Sequence, residues 1–119
     1  MSVLVTGGLG YIGSHTCVEL MNAGQEIVVV DNLYNCKKSS YDRIKALTGK
    51  DFSFYECDIR NKEGLNEVFE KENITSVIHF AGLKAVGESV RKPLEYFDNN
   101  ITGTLVLLDV MRKHNCKKI

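Results

Sequence analysis

A parallel α/β fold, doubly wound with helices on both faces of the sheet, is predicted by three observations. Short apolar runs alternate with longer amphipathic stretches along the whole chain, the pattern of strands joined by crossover helices. A glycine-rich turn, Thr6-Gly7-Gly8-Leu9-Gly10-Tyr11-Ile12-Gly13, separates the first apolar run from the first amphipathic one. An acid, Asp31, closes the second apolar run 18 residues after Gly13.

The first strand is Ser2–Thr6 and the first helix Tyr11–Asn22. The turn between them fits two spacings, Gly8-x-Gly10-x-x-Gly13 and Gly7-x-x-Gly10-x-x-Gly13. Its glycines let the backbone turn sharply and come close to a pyrophosphate, and the helix start offers free N–H groups to that anion. Cys17 and Met21 stand four apart on the helix and read as core packing; Ser14 reads as a first-turn group. The second strand, Glu26–Val30, delivers Asp31 close to the spacing of roughly 20 residues expected of an acid that binds an adenosine ribose. A carboxylate there accepts from the 2′-OH and repels a 2′-phosphate, so the cofactor is expected to be NAD. Lys37 and Lys38 nearby keep NADP as the disfavoured alternative.

A polar loop runs through Ser40 and a short helix covers Tyr41–Leu47. The third strand is Phe52–Cys57, followed by a helix over Lys62–Glu72 with Asn61 as its N-cap. The fourth strand is Ser76–Phe80. Pro93 suits the first turn of a long helix running to about His114, with Lys113, His114, Lys117 and Lys118 complementing its C-terminal dipole. Gly103 inside that helix costs about 1 kcal/mol relative to alanine, so it reads as a close approach to the sheet or cofactor. Right-handed crossovers then give strand order 3-2-1-4, a Rossmann-type sheet that is incomplete and stops at the start of a fifth strand. Four loops, Gly7–Gly13, Asp31–Cys36, Asp58-Ile59 and Phe80–Lys84, converge beyond the strand C-termini on one ligand.

At 119 residues the chain is one domain. Fifteen basic and 15 acidic residues give zero formal net charge, which argues against nucleic-acid and membrane-surface partners. No apolar run approaches the roughly 18 residues of a membrane span, and no signal peptide is visible. Cys17, Cys36, Cys57 and Cys116 form no C-x-x-C pair or metal-ligand grouping, so reduced thiols in the cytoplasm and no metal site are expected.

Several longer stretches are more specific. Thr6 to His15, Asp31-Asn32-Leu33-Tyr34-Asn35, Asp58-Ile59-Arg60, His79 to Ser89 and Lys92-Pro93-Leu94-Glu95-Tyr96-Phe97-Asp98-Asn99-Asn100 resemble the extended short-chain dehydrogenase/reductase family, and within it the 4-epimerases of UDP-hexoses. The resemblance covers essentially the whole chain. It implies that bound NAD takes hydride from C4 of a UDP-hexose while a tyrosine of a Tyr-x-x-x-Lys motif removes the 4-OH proton. The 4-keto sugar then rotates and hydride returns to its other face, interconverting UDP-glucose and UDP-galactose. It also implies a homodimeric enzyme with 1–119 as the N-terminal part of its NAD-binding domain and the substrate-binding domain outside this chain.

Carried over residue by residue, the resemblance places Gly7, Gly10, Tyr11, Ile12 and Gly13 at the pyrophosphate. Asp31, Asn32, Leu33, Asn35 and Cys36 fall on the adenosine ribose and phosphate loop, and Asp58 and Ile59 flank the adenine. Phe80, Ala81, Gly82 and Lys84 follow the cofactor toward the nicotinamide, with Asn99 reaching it from the long helix. Lys84 and Val86 stand beside the substrate. Cys36 departs from the serine common in the family, and a thiol is a weaker hydrogen-bond partner.

The family's catalytic serine and Tyr-x-x-x-Lys pair lie beyond Lys118-Ile119, so no catalytic residue is assigned in this chain and the chain alone is expected to be inactive. One match to that spacing, Tyr41-x-x-x-Lys45, follows the second strand and reads as coincidence. The fourth strand is expected to present an open edge. His79, inside an apolar strand, reads as a hydrogen-bonded core histidine; His15 and His114 lack partners for nucleophilic or metal chemistry, and Glu88 reads as a helix cap or surface group. Two other readings are another extended-family enzyme acting on a nucleotide sugar and a non-catalytic NAD-binding module.

Overall fold

The computed structural model describes residues 1–119. The elements are β1 (Ser2–Thr6), α1 (Tyr11–Asn22), β2 (Glu26–Asp31), α2 (Ser39–Thr48), β3 (Ser53–Glu56), α3 (Lys62–Lys71), β4 (Ile74–His79), α4 (Val86–Arg91), α5 (Pro93–Phe97), a π-helical turn over Asp98–Thr102, and α6 (Gly103–Lys113). The four strands form one parallel sheet in the order β3-β2-β1-β4. That is the predicted order, in which the sequence of strands reverses between β1 and β4.

The sheet is apolar on both faces, as parallel sheets covered by helices are. Val5, Ile27 and Val29 point to one face, where they meet Cys17 and Met21 of α1 and Ile44 of α2. Leu4, Val28, Val30 and Val77 point to the other, against Leu65, Val68 and Phe69 of α3 and Leu107, Val110 and Met111 of α6. Cys17 and Met21 thus pack as their spacing suggests. The Asn61 side chain accepts from Gly64 N at 3.0 Å and caps α3. Gly49, with φ of +66°, ends α2 in the left-handed conformation that glycine tolerates.

Beyond shifts of one or two residues at element ends, as in α2, which starts at Ser39 and not Tyr41, and β4, which starts at Ile74 and not Ser76, three features differ from the sequence expectation. The segment Val86–Arg91, between the fourth strand and Pro93, is a short helix with no counterpart among the predicted elements. The long helix from Pro93 is broken by the π-helical turn, in which Gly103 N donates to Asp98 O; the extra residue has no signature in apolar periodicity. The edge of β4 is partly covered, because Val77 N donates to Lys118 O at 2.9 Å.

Asn100, in the π-helical turn, binds the loop after β4 at both ends: its Oδ1 accepts from Leu83 N at 2.7 Å and its Nδ2 donates to Leu83 O at 2.9 Å. His79 lies between Thr6 Oγ1 at 2.6 Å and Thr104 Oγ1 at 3.0 Å. The Thr104 hydroxyl proton goes to Asn100 O at 2.6 Å, so Nε2 of His79 carries the ring proton and Nδ1 accepts from Thr6. Burial, then the nearby Lys84 charge, lowers the His79 pKa. His79 is a neutral core histidine that ties β1, β4 and α6 together. His114 stacks on Phe69 and contacts Asn66 at 3.1 Å, likewise a packing role.

Candidate functional site

A cleft of about 400 Å³ opens at the C-terminal ends of the strands, over the β1/β4 reversal, where ligands of such sheets bind. The glycine turn forms its floor. Gly7 has φ of +67°, and a Cβ there would stand 2.8 Å from Ala81 N. A Cβ on Gly13 would collide with Gly7 O. Only glycine lets these backbones touch. The first bond of α1 is Ser14 N to Gly10 O at 2.9 Å, so the N–H groups of Tyr11, Ile12 and Gly13 are the free donors of the helix start. No acid stands in that first turn, and its partial positive charge remains available to an anion.

Asp31, 8% exposed, organises one wall. Its Oδ2 accepts from Leu9 N in the glycine turn at 3.1 Å. Its Oδ1 accepts from Leu33 N at 2.8 Å and from Cys36 Sγ at 3.3 Å. A carboxylate has about four acceptor positions, so one remains for a ligand hydroxyl. Leu33 adopts φ of +61° to deliver its N–H, a conformation uncommon outside glycine. Its side chain packs toward α1 and α2 instead of the cleft. Burial and the Asp31 charge push the Cys36 thiol up to about 12, so it stays a neutral donor in the place where serine was expected.

The next wall is a charged network. Asn32 Oδ1 accepts from Tyr34 N at 3.0 Å, and its Nδ2 donates to Asp58 Oδ2 at 3.2 Å. Asp58 Oδ1 accepts from Arg60 N and Nε, both at 2.9 Å, and Oδ2 accepts from Arg60 Nη2 at 2.8 Å. The guanidinium also reaches Asp98 Oδ2 at 2.7 Å. The bonds from Arg60 hold the Asp58 carboxyl well below the usual range, at about 2. Ile59 lines the cleft and is buried against Gly103, where a Cβ would lie 2.5 Å from Ile59 Cδ1. The close approach expected at Gly103 is thus made to the loop after β3 and not to the sheet itself.

Phe80, Ala81, Gly82 and Lys84 form the opposite wall, with buried Asn99 beside them. Of the residues singled out in the sequence, Gly7, Gly10, Tyr11, Ile12, Gly13, Asp31, Asn32, Asn35, Cys36, Ile59, Phe80, Ala81, Gly82, Lys84 and Asn99 line this one cleft. Leu33, Asp58 and Val86 are not on its wall. Leu33 supports Asp31 through its backbone, Asp58 stands behind Asn32, and Val86 faces solvent at the start of α4, 81% exposed. Val30, Tyr34, Cys57, Leu83 and Ala85 line the cleft and were not singled out as site residues. Tyr34 sits within the Asp31–Cys36 loop, the one signal that pointed to it. Its hydroxyl lies 3.5 Å from Glu88 Oε1, which also accepts from Tyr96 at 3.1 Å.

Tyr41 and Lys45 are outside the cleft. Tyr41 donates to Asp51 Oδ1 at 3.0 Å, and Lys45 lies over its ring and 3.4 Å from the same carboxylate. Burial and the Asp51 hydrogen bond raise the tyrosine pKa, the opposite of what a proton-abstracting tyrosine needs. No group of three metal-ligating side chains exists, and all four cysteines are free. No helix is long and apolar enough to cross a membrane.

The chain is 58% identical over its full length to UDP-glucose 4-epimerase of Bacillus subtilis, and it spans about a third (35%) of that protein. It is 57% identical to a UDP-glucose 4-epimerase of Klebsiella pneumoniae over 98% of this chain and 84% of the relative. The crystal structure of UDP-glucose 4-epimerase from Bifidobacterium longum in complex with NAD⁺ and UDP superposes with a TM-score of 0.96 at 52% identity, over 98% of this chain and 35% of that one. The family model described as GDP-mannose 4,6 dehydratase matches residues 4–119. The chain therefore belongs to that family, and within it is similar to the UDP-glucose 4-epimerases.

Proposed function

We propose that this chain binds NAD in the cleft and serves, as residues 1–119 of an NAD-binding domain, the 4-epimerisation of a UDP-hexose. The observation that carries the reading is Asp31. It is buried at the end of β2, joined to the glycine turn, and left with one acceptor position facing the cleft. The free N–H groups of Tyr11, Ile12 and Gly13 suit the pyrophosphate. Asp31, Asn32, Asn35 and Cys36 suit the adenosine ribose side, with Leu33 N–H holding Asp31 in place. Asp58 and Ile59 suit the adenine, and Phe80 to Lys84 with Asn99 suit the nicotinamide end. Lys84 on the cleft wall and Val86, exposed two residues further along the chain, suit the UDP-hexose.

Bound NAD supplies hydride transfer at the sugar C4; the residues of this chain supply binding, orientation and charge. No Tyr-x-x-x-Lys pair lines the cleft, so proton abstraction is assigned to residues outside these 119. Zero net charge is the ground for assigning no nucleic-acid partner, and four free thiols are the ground for a cytoplasmic location. A homodimer is supported by a stripe of exposed Leu94, Phe97, Ile101, Leu105 and Leu108 along α5, the π-helical turn and α6.

The test is calorimetric titration of the chain with NAD and with NADP. Saturable NAD binding, at least tenfold tighter than NADP, is expected. Absence of NAD binding by the folded chain rejects the reading, and equal binding of the two cofactors rejects the role given to Asp31.

A further inference from the structure

We propose that Arg60, which does not touch the cleft, sets which base the cleft accepts. It holds the Asp58 carboxylate so that a single acceptor position, on Oδ2, is left exchangeable for the exocyclic amino group of adenine. The inference rests on the NAD reading above and adds a positioning residue and a displacement step to it.

The argument is a count of hydrogen bonds. A carboxylate offers about four acceptor positions, and Asp58 has four donors. Three come from Arg60, through N, Nε and Nη2, at 2.8 to 2.9 Å. The fourth is the Asn32 amide at 3.2 Å. The bonds from the guanidinium are charge-assisted and come from a planar fork whose other arm is anchored on Asp98 at 2.7 Å. The Asn32 bond is the longest of the four, and its donor is a neutral amide. It is the one an incoming donor displaces.

Position agrees with this. Asn32 lines the cleft and Asp58 does not, so the Asn32 amide lies between the cleft and Oδ2. Asn32 does not lose its place when displaced, because its Oδ1 still accepts from Tyr34 N. An exocyclic N–H therefore replaces an amide N–H, and the hydrogen-bond count at Asp58 is unchanged. A base with a carbonyl oxygen at that position sets an acceptor against a carboxylate that has no proton to offer, and is rejected. Selectivity needs the carboxylate fixed in one orientation, which is what the fork of Arg60 provides. A lysine, with a single charged nitrogen, does not reproduce a bidentate clamp that also reaches Asp98.

The test compares binding of NAD with binding of nicotinamide hypoxanthine dinucleotide, in which the 6-amino group is replaced by oxygen. The chain is expected to prefer NAD by about tenfold or more. In R60K the ratio should fall to within about twofold, whereas a loss of structure alone weakens both dinucleotides together and leaves the ratio in place. N32A should weaken both dinucleotides alike, since Asn32 lines the cleft, and should keep the ratio. Should R60K fail to fold by circular dichroism, D58N decides: it turns an acceptor into a donor and should reverse the preference. Equal binding of both dinucleotides by the unaltered chain, a full preference retained in folded R60K, or an unchanged preference in D58N overturns the inference while leaving the NAD reading intact. Binding of neither dinucleotide overturns the NAD reading and this inference with it.

Discussion

Asp31 does two things with one carboxylate. It receives the buried N–H groups of Leu9 and Leu33 and keeps one acceptor position for the ligand. The two roles separate by substitution. Asp31→Asn removes the charge and keeps one acceptor oxygen, while its NH2 faces either Leu9 N–H or Leu33 N–H, so it should weaken NAD about tenfold, or about 1.4 kcal/mol, and cost ~1–3 kcal/mol of folding free energy. Asp31→Ala also leaves two N–H groups without their partner and should cost a further ~1–3 kcal/mol of folding free energy; calorimetry and urea unfolding of the two variants read the two losses apart. His79 supplies a pH dependence. Its folded pKa is depressed by burial and the Lys84 charge, against about 6.5 unfolded. Between those values the unfolded chain binds more protons, so stability rises with pH and is lost as pH falls from 6.5 toward the folded value. Urea midpoints should be lower at pH 5.5 than at pH 7.5, and the slope should flatten in His79→Gln. Asp31 was legible in the sequence because strand, spacing and charge all bear on one position. Arg60 and Tyr34 were not, because their decisive partners Asp98 and Glu88 lie 38 and 54 residues away, and no local pattern encodes such contacts.

At the scale of elements, strands and caps were legible and helix irregularities were not. The continuous apolar runs of β1 and β2 and the Asn61 cap act within a few residues, where sequence patterns are informative. The π-helical turn over Asp98–Thr102 depends instead on what it packs against. It buries Asn99 at the cleft, aims Asn100 at both backbone groups of Leu83, and offers Asp98 to Arg60. Such turns often sit at functional sites. Gly103, directly after it, sets a conflict between helix propensity and site geometry. Alanine there gains about 1 kcal/mol of helix propensity, yet its Cβ would stand 2.5 and 2.7 Å from Ile59 Cδ1 and Cγ1. Ile59 must then move, and it forms part of the cleft wall. Gly103→Ala is therefore expected to leave thermal stability within about 1 kcal/mol of the unaltered chain while lowering NAD affinity several-fold. A variant that binds NAD normally would separate Ile59 from the ligand site.

For the whole molecule, sheet order followed from the handedness of crossovers and the alternation of elements, so the position of the cleft followed too. What the alternation does not give is which helix surfaces the fold leaves bare. Leu94, Phe97, Ile101, Leu105 and Leu108 recur at steps of three and four, a pattern that usually marks a core face. Here all five are exposed, Leu94 by 78% and Leu105 by 61%, while Leu107, Val110 and Met111 fill the core from the same helix. Exposed apolar stripes of this kind mark contact surfaces, and a second copy of the chain carries the same stripe for a two-fold contact. None of the five lines the cleft, so association and cofactor binding should be separable. Sedimentation of the chain over a range of concentrations is expected to show a reversible dimer. Phe97→Glu with Leu105→Glu should give a monomer with NAD affinity within about twofold of the unaltered chain. The edge of β4 is the competing surface, and it is weaker because Lys118 already occupies Val77 N. Association that persists in the double variant would assign the contact to that edge, whereas a strictly monomeric unaltered chain would remove both surfaces as self-contacts.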